Sequence, residues 1–103
     1  MNKRRVHKKT DKSYYARQAA LWVVRGRGSL PNPAHEEAVR SAAALIGEDL
    51  TDTKLRERLQ NAVLMNCDDR KRYTFRYLGL NCFSESDFYR RKQRFLLEVY
   101  KRL

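Results

Sequence analysis

Apolar residues recur along most of this chain at helical spacing, and the period-two alternation of a half-buried strand is weak. Tyr14, Tyr15, Ala19, Leu21, Trp22 and Val23 make one broad apolar face, with Trp22 read as core, that ends at the Gly26-Arg27-Gly28 turn. The next helix has clear boundaries. Asn32 is a good N-cap, Pro33 suits the first helical position, Glu36 and Glu37 complement the positive helix N-terminus, and Gly47 stops it. Its buried stripe is Ala38, Val39, Ala42, Leu45 and Ile46, whose alanines permit close packing inside the domain or against a second copy in a homodimer. Thr51 or Asp52 can cap a third helix with Leu55, Leu59, Ala62 and Val63 on one face, and Asn66-Cys67-Asp68 marks a break or a kink. Asp68–Leu78 then reads as a short basic helix with Tyr73, Tyr77 and Leu78 inward, Gly79–Phe83 as a turn, and Ser84–Leu103 as a long terminal helix. The predicted fold is all-α: a small domain of four to five helices with a C-terminal helix-turn-helix.

The terminal helix divides sharply. At 100° per residue, Lys92, Phe95, Leu96, Val99 and Leu103 fall within about 80° of Phe88 and form the core stripe, with the stem of Lys92 at its edge. The N-terminal half of the opposite face carries Ser86, Tyr89, Arg90, Gln93 and Arg94. Ser84 is a good N-cap, and Asp87 stands three residues later, where a capping box would place Glu or Gln. Leu97 also points outward, so the last two turns are expected to touch another part of the protein or a partner.

Charge changes the picture from fold to partner. The 103 residues carry a formal net charge of +11, and nucleic acid is the matching polyanion. Residues 1–12 hold six Lys/Arg against one acid and residues 68–103 hold ten against five, whereas residues 13–67 are almost balanced. Three regions follow: a basic disordered arm over 1–12, a helical scaffold or partner-binding region over 13–67, and a DNA-binding helix-turn-helix region over 68–103. On the outward face of the last helix Arg suits guanine, Gln suits adenine, and Ser or Tyr can bond a phosphate or base edge, so Ser86, Tyr89, Arg90, Gln93 and Arg94 are the candidate base-reading residues. A merely solvated charged face has the same composition. Lys3, Arg4 and Arg5 in the arm and Arg70, Lys71, Arg72 and Arg76 before the turn are the candidate phosphate contacts of double-stranded DNA.

Other chemistry is thinly represented. The two cysteines, Cys67 and Cys82, lack zinc spacing and are read as buried free thiols, and the two histidines, His7 and His35, have no paired acid or nucleophile. No metal, no cofactor and no enzymatic activity are therefore expected. Met1–Lys12 lacks the apolar core of a signal peptide and the longest apolar run, Ala19–Val24, cannot span a bilayer, which points to a cytoplasmic, nucleoid-associated protein without membrane contact.

The string Phe83-Ser84-Glu85-Ser86-Asp87-Phe88-Tyr89-Arg90-Arg91-Lys92, continued by Phe95-Leu96-Leu97-Glu98-Val99, resembles the C-terminal segment of phage late-gene transcription regulators of the ArpU and RinA type. Their segment runs apolar-Ser-x-x-Thr-aromatic-Tyr-Arg-x-Lys followed by a Leu-rich tail, with Asp87 standing here in place of the Thr. Arg76-Tyr77-Leu78 is similar to the end of the first helix of sigma-factor region 4. The resemblance covers about a third of the chain and implies a phage or prophage transcriptional regulator that binds a promoter and touches RNA polymerase. Two other classes fit the same composition. One is a DNA-packaging adaptor of the terminase small-subunit kind, and the other a protein-interaction module of the anti-sigma or anti-repressor kind.

Overall fold

The computed structural model describes residues 2–26, 32–68, 70 and 72–103, the side chains of 2–12 excepted. Among the described residues the regular structure is entirely helical, in five segments: α1 (Asn2–Arg25), α2 (Pro33–Ala43), α3 (Thr53–Cys67), α4 (Phe75–Leu78) and α5 (Glu85–Lys101).

Three of the four longer helices begin where local chemistry says they should. Asn32 Oδ1 accepts from the backbone N–H groups of Ala34 and His35, Asp52 Oδ1 from Lys54 and Leu55, and Ser84 Oγ from Asp87. Each of these bonds satisfies a donor that a helix start leaves without a partner, worth about 1 kcal/mol per cap. Asp52, not Thr51, is therefore the cap of α3. In α1 the helical backbone reaches back to Asn2, across the segment expected to be a disordered arm. Between Asn2 and Arg25 the sequence holds neither glycine nor proline, so no residue there forces a stop.

α5 is the central element, in contact with α1, α2 and α3. It contributes Phe88, Phe95, Leu96 and Val99 to the core, which meet Leu59, Val63 and Cys67 of α3, Ala42 and Ile46 beside them, and Ala20 and Leu21 of α1. The stripes expected on α2, α3 and α5 are the buried ones, except that Leu103, expected on the α5 stripe, lies beyond the end of the helix at Lys101 and is 48% exposed. The stripe expected on α1 is buried only in part: Leu21 is in the core and Val23 packs against it, joined by Ala16 and Ala20, while Tyr14, Tyr15 and Trp22 are 47%, 66% and 59% exposed and Ala19 is exposed too. Alanines four apart let the α1 and α5 backbones approach closely, and Trp22, two residues beyond Ala20, lies about 200° around the helix from it.

The connection between α2 and α3 is built against the expected stop at Gly47. α2 ends at Ala43, and a turn over residues 44–49 follows in which Gly47 takes a φ of 76°. A Cβ there would meet Arg56 Cγ at 3.1 Å and Leu50 Cδ1 at 3.2 Å, so glycine is needed for both conformation and space. Side chains of α3 close the turn, with Arg56 Nη2 donating to Leu50 O at 2.6 Å and Gln60 Nε2 to Ile46 O at 3.0 Å.

The segment before α5 departs most from expectation. α3 breaks outright after Cys67, where Asp68 is extended, and among the described residues of the short basic helix expected over Asp68–Leu78 only the single turn Phe75–Leu78 is helical. Asp68 Oδ1 accepts from the Arg70 N–H at 2.9 Å, a local turn that competes with helix, and Thr74 Oγ1 then caps α4 through the Tyr77 N–H. Tyr77 is 69% exposed instead of inward, while Tyr73 and Leu78 are half-buried. Gly79, at φ 66°, ends α4 in the left-handed conformation. Cys67 is buried as expected, but Cys82 is exposed because it lies in the turn that follows.

Candidate nucleic-acid interface

α5 is held differently along its two flanks. On one flank Arg91 Nη1 and Nη2 each donate to a carboxylate oxygen of Asp49 at 2.9 Å, and its Nε donates to Asp87 Oδ2 at 3.1 Å. The same guanidinium lies 5.3 Å from the Phe83 ring centroid. Arg94 Nη2 reaches Glu48 Oε2 at 3.3 Å. Arg91 is thus a clamp between α5 and the α2–α3 connection, and Asp87 spends its carboxylate on this pair, not on a capping box.

The clamp has a pH signature. Hydrogen bonding from Arg91 lowers the Asp49 carboxyl from 3.8 to about 2 and raises Arg91 further. A folded-state value below the unfolded one stabilises the fold above 3.8 and ceases to do so as pH falls through about 2. Asp49→Asn should therefore melt below the parent protein at neutral pH, and the gap between the two melting temperatures should close across that acid window. A gap of constant size would show that the ion pair contributes nothing.

On the opposite flank lies a groove of about 680 Å³. Its walls include Arg25 from the end of α1, Asn66 from α3, Arg72 and Tyr73 from the following loop, and Tyr89 and Lys92 from α5. The Arg70–Asp68 ion pair, at 3.1 Å, lines it as well. Lys92 Nζ donates to Asn66 Oδ1 at 2.7 Å, and Asn66 Nδ2 donates to Tyr73 O at 2.7 Å, so one side-chain chain ties α5 to α3 and the loop. Arg25 Nε donates to Cys67 O at 2.7 Å, filling a carbonyl that the end of α3 leaves open. Burial pushes the Lys92 ammonium below the usual lysine value and the Cys67 thiol above its own.

The structure divides the candidate base-reading residues. Ser86, Arg90 and Gln93 are exposed together between the two flanks. Tyr89 is half-buried, edge-on to Phe88 at 5.2 Å and turned to the groove, and Arg94 leans to the clamp side while staying 67% exposed. Leu97, read as outward, is half-buried. Among the phosphate candidates, Arg70 and Arg72 share the groove, and the exposed Arg76 lies in a separate recess with Thr74, Gly79 and Glu85. Lys3, Arg4 and Arg5 lie on the α1 backbone, but their side chains are outside the described residues, as is Lys71. Arg25, Asn66 and Lys92 escaped the sequence reading, since only the fold brings the ends of α1 and α3 against α5.

Among the described residues no group of His, Cys, Asp and Glu is placed to hold a metal ion, and no helix is long and apolar enough to cross a membrane. No family model, characterised protein or solved structure matches the chain.

Proposed function

We propose that the protein is a DNA-binding regulator of transcription that lays the N-terminal half of α5 in the major groove, with α4 and the Gly79–Phe83 turn as an abbreviated helix-turn-helix. The observation that carries this reading is the exposed row Ser86, Arg90 and Gln93 on a helix whose other sides are fixed by the core and by the Arg91 clamp. A reading helix must be rigid, because each base contact depends on geometry held to a fraction of an ångström. Arg72 and Arg76, both exposed and without hydrogen-bond or ion-pair partners among the described residues, serve phosphates. The likeness of residues 83–99 to phage late-gene regulators supports a phage or prophage origin and contact with RNA polymerase. The outer face of α1, with Trp22, Tyr14 and Tyr15 exposed, is where such a partner, or a second copy, would dock. The function is binding, with no catalytic step.

Titrating a labelled promoter-length duplex at several salt concentrations tests this. The logarithm of affinity should fall linearly with the logarithm of salt, with a slope near −0.9 per phosphate contact. Removing residues 1–12 should flatten the slope, and an unchanged slope would exclude that segment from the interface. Absence of duplex binding at low salt would overturn the whole reading.

A further inference from the structure

We infer that the groove between the end of α3, the loop over residues 72–74 and α5 is a seat for a single unpaired nucleotide, with its phosphate at Lys92 and its base against Tyr73 and Tyr89. This deepens the nucleic-acid reading above by adding a second mode, single-stranded, to the same protein. Lys92 and the exposed Arg72 bring positive charge to the groove, which suits an anion. Lys92 is the decisive group. The Lys92 residue is half-buried, and among the described residues it has no carboxylate partner; its hydrogen bond goes to the neutral Asn66 Oδ1. An ammonium carries three donors, and a partly buried cation without a counter-charge is unfavourable until an anion arrives. Asn66 is itself fixed by Tyr73 O, so Nζ is held in place before any ligand comes. Arg72, exposed and without a partner among the described residues, supplies a second donor set beside it.

Shape selects the nucleotide over a bare phosphate contact. The groove is open to solvent and, at about 680 Å³, leaves room for a base beside a phosphate. Tyr73 and Tyr89 are among its lining residues, and Lys92 Nζ lies 5.9 Å from the Tyr89 ring centroid. Rings beside cations are the arrangement that binds single strands, whereas a base stacked in a duplex cannot reach such a recess without leaving its stack.

The test compares two labelled probes by fluorescence anisotropy on the full chain: an oligothymidylate of about ten nucleotides and a blunt duplex of similar length. Lys92→Gln should weaken oligothymidylate binding roughly tenfold, by removing a charge-assisted hydrogen bond, while duplex affinity changes less than about twofold. The melting temperature of the variant shows whether it is folded. Independently of any variant, thymidine 5′-monophosphate added to the unaltered protein should shift the Asn66 side-chain amide resonances, and sodium chloride at equal ionic strength should not. Duplex binding with no single-strand binding, or single-strand binding indifferent to Lys92→Gln in a folded variant, would overturn the groove and leave the duplex reading standing. Single-strand binding through Lys92 without duplex binding would support the groove and overturn the duplex reading. A protein that binds neither probe would overturn both.

Discussion

Phe88→Ala is expected to lower the melting temperature by roughly 12–40 °C. Phe88 is wholly buried, at the start of the helix around which the others assemble. Its ring lies 5.3 Å from that of Phe75 and 5.2 Å from that of Tyr89, so it joins α4 to α5 and supports the wall of the groove. Removing a buried aromatic ring costs about 3–5 kcal/mol, the lost transfer energy plus the cavity left behind. In a domain of this size each kcal/mol shifts the midpoint by about 4–8 °C, and total stability is only about 5–15 kcal/mol. Differential scanning calorimetry is the measurement. A variant melting within about 5 °C of the parent would mean that the site refills and that α5 is not the keystone described above.

The caps at Asn32, Asp52 and Ser84 were legible because a cap is decided within three residues of itself. The stripe on α5 was legible because four large side chains at 3.6-residue spacing leave little choice of face. α1 was legible only in part because apolar residues lie on both of its faces, and spacing alone does not choose between them. What decides the matter is the distance between α1 and α5, and Ala16 and Ala20 allow a closer approach than Trp22 would. The stretch after Cys67 was misread for the opposite reason: its arginines are good helix formers, but Asp68 and Thr74 offer local hydrogen bonds that hold the chain in turns.

The candidate site shows the same division. Arg90 and Arg91 are neighbours in sequence, and helical geometry alone turns them about 100° apart. That Arg91 clamps the fold depends on Asp49, 42 residues away, which no local pattern announces. Lys92 was placed at the edge of the core stripe, and it is half-buried there. Its use became visible only when the ends of α1 and α3 closed a basic groove around it.

The second large effect falls on recognition. Arg90→Ala should weaken binding to the cognate duplex by roughly 1–3 kcal/mol, about 5- to 150-fold, if its guanidinium makes a two-pronged contact to guanine. Its present tie is slight: Nη1 stands 3.7 Å from Asp87 Oδ1 with the side chain 76% exposed. Pairs of that kind contribute about 0–1 kcal/mol, so releasing Arg90 to DNA costs little, and its loss should leave the fold alone. Arg72→Ala, acting on a phosphate, should instead weaken cognate and unrelated duplexes equally, lowering the salt slope by about one contact. The ratio of cognate to unrelated affinity, measured for both variants at one salt concentration, separates the two roles. An Arg90→Ala protein that keeps that ratio would move the reading surface off the N-terminal half of α5, while an unchanged ratio in Arg72→Ala alongside a collapsed one in Arg90→Ala would fix the row Ser86, Arg90 and Gln93 against the bases.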